Sequence, residues 1–404
     1  MRDTQLTLPP TLKANPQLAR WVDFSTPGVV TLRPGKVEIG QGIVSAIAQM
    51  AAEELDVAYT RIRTVAVDTT ISPNEGSTSG SRSVQEGGEA MRQACAEVRA
   101  LFLQAAAKQL GVAAEKLEIK DGRIQNALGD KGLTYWQLLD SVDMQQPALG
   151  GVRPKDPTTF QTVGHALPRL DILAKVTGGA FIQDLELPDM WHARVVRPPS
   201  FKAWLREVDD AQVRLMPGVC DVVRRGSFLA VMAQREEQAI QAMEALANAC
   251  VWEEKQTLPK PDELQEFLTS QNTEDELLCD VAEPLVNVDC HELKATFTRP
   301  YLAHASIGPS CGLARVTGDL LEVWSHSQSI YALRDEIAKL LERPPSTVVV
   351  RHREGSGCYG HNGADDVAFD AALLAMTAPG KAVRVQWMRG DEFAWEPLGP
   401  AMTV

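Results

Sequence analysis

Apolar residues follow two rhythms along this chain. Ile43, Ile47, Met50, Ala51 and Leu55 recur at helical spacing, which predicts an amphipathic helix over 43–55. Met91, Cys95, Val98 and Phe102 predict a longer helix over 86–110. The same spacing returns in Ala239, Met243, Leu246 and Cys250, in Leu333, Ile337, Leu340 and Leu341, and in Phe369, Leu373 and Leu374. Between these helices lie short β-rich runs at 29–32, 62–67, 195–196, 219–223, 228–233, 320–324, 348–350 and 383–387. Strands and helices interleaved in this way predict an α+β fold. Gly150-Gly151, Pro154 and Pro157 punctuate a stretch that reads as a connection. Residues 254–290 are acidic and polar and read as a surface linker with one short helix. The expected division is a first unit over 1–125, opening with a proline-bearing lead-in to residue 27, then a linker over 126–168. A second unit covers 169–253, the acidic linker 254–290, and a third unit 291–404.

Charge narrows the function. Forty Lys+Arg against 53 Asp+Glu give a net charge of −13, which disfavours binding to a phosphate backbone. The hydrophobic fraction of 44% is that of a globular chain, which excludes disorder and collagen-like structure. No apolar run reaches the ~20 residues of a membrane span. The segment Met1–Leu6 carries an acid and no apolar h-region, so no signal peptide is expected and the expected compartment is the cytoplasm. Cysteines at 95, 220, 250, 279, 290, 311 and 358 form no Cys-x-x-Cys pair, which argues against a zinc ribbon or an iron–sulfur cluster in this chain. Reduced thiols, most of them core residues, are expected.

Three loops carry candidate chemistry. Gly40-Gln41-Gly42 lies between a strand and a helix, where glycines admit an anion and the helix start offers N–H groups. On its own the tripeptide reads first as a tight turn with an exposed glutamine. Thr78, Ser81 and Ser83 precede a helix and suit phosphate oxygens without positive charge, or serve as N-caps. The loop 355–363 holds four glycines and lacks both the P-loop and the dinucleotide fingerprints. Cys358 and His361, three apart with no second pair nearby, are not expected to ligate a metal. No Ser-His-Asp set can be assembled, and His304 and His326 read as packed, hydrogen-bonded residues.

Taken together the loops acquire a family likeness. Val37-Glu38-Ile39-Gly40-Gln41-Gly42, Gln49, Thr78-x-x-Ser81-x-Ser83, Gly88 and Ala94-Cys95 resemble the second molybdenum-cofactor-binding domain of the xanthine dehydrogenase (molybdenum hydroxylase) family. Residues 169–253, with Lys175-Val176-Thr177-Gly178 and Met216-Pro217-Gly218-Val219, resemble its α/β-hammerhead domain. Residues 291–404, with Trp324-Ser325-His326-Ser327-Gln328 and the loop from Gly355 to Gly360, resemble its first cofactor-binding domain. The order is permuted relative to xanthine dehydrogenase and is similar to the large subunits of isoquinoline 1-oxidoreductase and nicotinate dehydrogenase.

The resemblance implies site roles. Gln328 matches a glutamine bonded to an oxygen ligand of molybdenum, and Tyr359 an aromatic position whose backbone N–H reaches the metal's ligands. Gly357, Cys358 and Gly360 match the close-approach loop around it. Gly40, Gln41 and Gly42 match pterin-binding positions, and Thr78, Ser81 and Ser83 positions that hold pterin or phosphate groups. The metal hangs from the pterin, so no protein ligand is expected. The implied cofactor is molybdenum with molybdopterin in its cytosine dinucleotide form. The implied activity is oxidation of an aldehyde or N-heteroaromatic substrate with water as oxygen source. Implied partners are a small iron–sulfur subunit and a cytochrome or flavin electron acceptor. The family's catalytic glutamate lies in a Gly-x-Gly-Glu type segment that these 404 residues lack, and Glu354 does not match it. The chain is therefore expected to be truncated or one piece of a split subunit. It is expected to be inactive without a chain supplying the C-terminal part, with apolar surface exposed over 29–125. The alternative is a non-catalytic remnant or assembly module without cofactor.

Overall fold

A computed structural model describes residues 7–126, 132–280, 291–362 and 366–404. Met1–Leu6, Cys290, Gly363 and Asp365 lie outside the described residues. The first unit is built on helices α1 (Pro10–Ala14), α2 (Ile43–Leu55) and α3 (Glu89–Leu110). Strands β1 (Val22–Asp23), β2 (Val30–Leu32) and β3 (Ile62–Thr64) form one small sheet. β4 (Leu117–Lys120), β5 (Arg123–Asn126) and β6 (Leu133–Thr134) form another and lead into α4 (Tyr135–Leu138). The predicted long helix begins at Glu89 because residues 83–88 form a π-helical turn, where Gly87 and Gly88 press against Lys36 and Met50.

Two sequence expectations are corrected here. The lead-in is core: Leu12, Leu18, Trp21 and Phe24 are buried with Ile47, Met91 and Phe102. Residues 126–168 are no loose connection either, since Tyr135, Leu138 and Ala148 enter the same core. The reason is three buried glutamates on α2 and α3. Glu53 Oε2 accepts the N–H groups of Gln161, Thr162 and Val163 at 2.6–3.1 Å. Glu54 accepts Lys155 N–H and pairs with Arg92 and Arg99. Glu97 accepts the N–H groups of Leu149 and Gly150. Burial acts to raise the Glu53 pKa, yet those three N–H bonds outweigh it and the pKa is lowered. Because this wrap covers the unit, the expected apolar surface over 29–125 is absent among the described residues apart from Ile71 and Val84.

The second and third units share one sheet. Its strands are β7 (Trp191–Val195), β9 (Val219–Arg225), β10 (Phe228–Ala233), β13 (Cys311–Thr317), β14 (Leu320–Ser325), β15 (Val348–His352) and β16 (Ala382–Gln386), in the order β15-β14-β13-β16-β7-β10-β9. Helices α9 (Ile330–Leu340) and α10 (Asp366–Ala375) belong to the β13–β16 half and α7 (Glu236–Asn248) to the other. β8 (Trp204–Val208) pairs with β11 (Cys250–Glu253) beside α6 (Ala211–Arg214). The remaining elements are α5 (Ile172–Thr177), the short α8 (Leu264–Ser270) of the acidic segment, β12 (Thr298–Arg299), α11 (Arg389–Trp395) and β17 (Met402–Thr403). Gly312 on β13 lets α10 approach, since a Cβ there would meet Ala368 and Val367 backbone atoms at 2.9 Å.

The first unit is stitched to this sheet. After β3 the chain runs along β15: Thr69 N–H donates to Val350 O, His352 N–H to Val67 O, and Asp68 pairs with Arg351. No helix among the described residues is long and apolar enough to cross a membrane. Cys95, Cys311 and Cys358 are buried, Cys220 and Cys250 are half-buried, and Cys279 is exposed.

Candidate functional site

The parallel strands β14 and β15 both end where the first unit docks. A loop leaves each end, as is usual for ligand crevices at the carboxyl ends of strands. Ser325 ends β14, and the chain turns through His326 and Ser327 to Gln328. The Gln328 N–H donates to Asn362 O, its carboxamide NH2 donates to Thr78 O at 2.7 Å, and its carbonyl accepts the Cys358 thiol at 3.2 Å. Thr78 returns the contact, since its own N–H donates to Gln328 O at 2.9 Å. Its hydroxyl then accepts the N–H of Val37 at 2.9 Å, which reaches the loop that carries Gly40-Gln41-Gly42. Three loops from distant parts of the chain thus meet through Thr78, Gln328 and Cys358, all buried.

The loop after β15 has an open face. Gly357 and Gly360 have φ of +122° and +96°, and Tyr359, a non-glycine, is held at +54°. That left-handed backbone is unfavourable for a tyrosine and needs the surrounding structure to impose it. A Cβ on Gly357 would strike the Tyr359 ring at 3.1 Å. Tyr359 is 60% exposed, and the N–H groups of Cys358, Tyr359 and Gly360 have no hydrogen-bond partner among the described residues. Successive free N–H groups in such a turn form an anion-binding concavity.

The first loop is arranged differently from expectation. Glu38 Oε1 accepts the N–H groups of Gly40 and Gly42, and Oε2 that of Val44. The start of α2 is therefore capped by a carboxylate of its own chain, and those N–H groups are not free for a ligand. Gln41 folds back, accepting Ile39 N–H and donating to Val37 O, so its side chain fixes the loop. Ser81, at φ +57°, is exposed; Ser83 opens the π turn, and neither makes an N-cap. Of the sequence-predicted residues, Thr78, Gln328 and Cys358 come together, Gly357, Tyr359 and Gly360 frame the open face, and Gly40, Gln41, Gly42, Ser81 and Ser83 sit on the adjoining loops.

Several residues of the site were given no role by the sequence. Lys36 is buried beneath the 75–86 loop, donating to Glu75 O and Ser77 O and pairing with Glu86. Asn362 bonds His326 O and holds Gln328 N–H. Glu354 lies beside Glu38 and Asp171, with Lys175 paired to Glu354 and Arg169 to Asp171. Burial pushes the Glu354 pKa up, against the opposing pull of Lys175. Gln49 donates to Thr162 O and His165 O and so secures the wrapped segment.

The fold and this junction define a class, molybdopterin-binding subunits. Family models of the molybdopterin cofactor-binding domain match residues 4–160, by the second-domain model, and 267–404, by the first, in the permuted order expected. The chain belongs to the molybdopterin-binding large subunits of the xanthine dehydrogenase (molybdenum hydroxylase) family. A nicotinate dehydrogenase subunit of Pseudomonas putida is 35% identical over 97% of this chain and 34% of the relative. The beta subunit of isoquinoline 1-oxidoreductase from Brevundimonas diminuta is 24% identical over 99% of this chain and 58% of the relative. The chain thus spans less than two thirds of either relative. Quinoline 2-oxidoreductase from Pseudomonas putida 86 overlays 60% of this chain and 37% of its own, at 18% identity and a TM-score of 0.49.

The residues present fit the cofactor. It is anionic and large, and the junction offers backbone N–H groups on a left-handed turn, exposed hydroxyls and glycines without Cβ hindrance at Gly40. A cradle of amides and hydroxyls is compatible with the net charge of −13.

Proposed function

We propose that this chain is the cofactor-holding part of a molybdenum hydroxylase that acts on an aldehyde or an N-heteroaromatic ring. The observation that supports it most is the junction of Thr78, Gln328 and Cys358, which brings three glycine-rich loops to one open face. When bound, the molybdenum cofactor supplies hydroxylation of an electron-poor carbon with water as oxygen source. Gln328 orients the junction, and its second amide hydrogen is the one left to meet the cofactor. Tyr359 and Gly360 offer backbone N–H groups, fixed dipoles that need no reorganisation. Thr78 sets the spacing between the loops, and Ser81 and Ser83 offer hydroxyls to pterin or phosphate. The cofactor is the cytosine dinucleotide form. Residues 169–253 serve as the hammerhead domain. Electrons pass to a small iron–sulfur subunit and on to a cytochrome or flavin acceptor.

Metal and pterin analysis of the chain, purified with its co-expressed partners, tests the proposal. Stoichiometric molybdenum with a pterin nucleotide is expected. A folded, partnered complex without either would overturn the reading and leave an assembly module.

A further inference from the structure

Beneath the Tyr359 loop lies a second cluster that the molybdopterin reading does not use. Glu392 and Glu396 are four apart on α11 and its C-terminal cap, so they share one helix face. His361 meets them from the glycine loop. All three are buried, with exposures of 2% for His361, 0% for Glu392 and 4% for Glu396.

Each carboxylate is held by backbone. Glu392 Oε2 accepts Ser310 N–H at 2.8 Å, and Glu396 Oε1 accepts His304 N–H at 2.5 Å. The other two oxygens turn toward His361. Nδ1 of His361 stands 3.3 Å from Glu392 Oε1, which also takes the Ser310 hydroxyl, and 4.0 Å from Glu396 Oε2. Glu396 Oε2 has no hydrogen-bond partner among the described residues. A buried carboxylate oxygen left in that state is costly unless something charged meets it.

The spacing decides what meets it. A charge-assisted hydrogen bond between imidazole and carboxylate closes to about 2.7–2.9 Å. The three donor atoms lie within 4.8 Å of one another, and the two measured separations exceed that range. Ligand atoms at about 2.0–2.2 Å from a common ion stand roughly 3–3.6 Å apart. A small contraction of this cluster produces that arrangement, and the Ser310 and His304 amides already fix the carboxylates as orienting partners do at metal centres. Charge agrees, because two carboxylates and a neutral imidazole balance one divalent cation. Imidazole with two carboxylates suits zinc or manganese rather than a soft metal.

We propose that His361, Glu392 and Glu396 bind a divalent first-row cation, zinc or manganese, distinct from molybdenum. The ion fastens the loop that carries Tyr359 to α11 and, through Ser310 and His304, to the chain entering β13. The proposal does not rest on the molybdopterin reading, because the two metals are counted separately.

The full chain in its purified complex is stripped with a chelator, dialysed against zinc or manganese, and analysed by plasma mass spectrometry. About one non-molybdenum ion per chain is expected, with affinity at least ~10-fold weaker in Glu396→Gln and in His361→Gln. Rebinding is expected to raise the wild-type melting temperature and to leave that of Glu396→Gln unmoved. Failure of the folded wild type to bind either ion would overturn the site, as would equal binding by wild type and both variants. Should the variants not fold, the wild type alone decides, since a melting temperature indifferent to saturating zinc and manganese also overturns it. Loss of molybdenum with retention of the divalent ion would instead count only against the molybdopterin reading.

Discussion

The chain buries carboxylates in two regions and treats them in opposite ways. In the first unit Glu53, Glu54 and Glu97 are enclosed by N–H groups of residues 149–163 and by Arg92, Arg99 and Lys155. Their oxygens are occupied, and the consequence is architecture: the segment that follows the small sheets lies flat against two helices. Beside the glycine loop, Glu392 and Glu396 are bonded on one side and face His361 on the other. Burial alone therefore does not distinguish an acid that holds the fold together from one with an oxygen left to meet a ligand. The completeness of its partners does.

Substitutions can break that comparison. Glu54→Ala leaves Arg92 and Arg99 facing an empty buried site and is expected to cost about 3–5 kcal/mol, read by urea denaturation. Glu396→Gln in metal-free protein should cost distinctly less, because one of its oxygens has no partner to lose. Equal costs would erase the distinction between the two regions.

Acid sharpens it next. His352 ends β15, where the two regions join, and burial, with His326 and Arg353 adding to it, lowers its pKa to about 3. The unfolded chain takes that proton near pH ~6.5 and the folded one does not. Stability is therefore full above that pH and falls as pH drops from ~6.5 toward about 3. Between pH 7 and 5 the loss from this group is expected to be about 2 kcal/mol, and His352→Gln should flatten the curve. An unchanged slope would mean that other groups govern the acid limb.

Smaller effects probe the junction. Thr78→Val keeps the shape but orphans the Val37 N–H, at a cost of about 1–2 kcal/mol and with reduced cofactor content. Ser81→Ala, on an exposed turn, should change stability by less than ~0.5 kcal/mol while lowering pterin retention. Retention at the wild-type level would remove Ser81 from the cofactor's contacts.

What the sequence revealed followed from local rules. The 43–55 helix matches its predicted span because apolar spacing sets it, and the β-rich runs of the third unit all became strands. The π turn at 83–88 was hidden, because it arises from close packing of Gly87 and Gly88 on Lys36 and Met50. Residues 126–168 looked like a connection because glycine and proline punctuate them, while the glutamates that hold them lie about 50 to 110 positions earlier. Glu38 stood in plain view beside Gly40-Gln41-Gly42, yet only the fold shows that it caps the helix start. The spacing of His361 from Cys358 gives no hint of a ligand set. Its partners stand 31 and 35 residues further on, brought back by α11.

The stitch between Thr69 and Val350 joins residues 281 positions apart. At about 5–20 residues per second of translation, the first unit waits roughly 15–55 s for the strand it will meet. Its own core is complete by residue 148, so it folds while the remainder is still being made. The Thr78–Gln328 contact, likewise, can close only after residue 328 has been made. Until then the two sides of the junction stay apart, although the first unit already has its core.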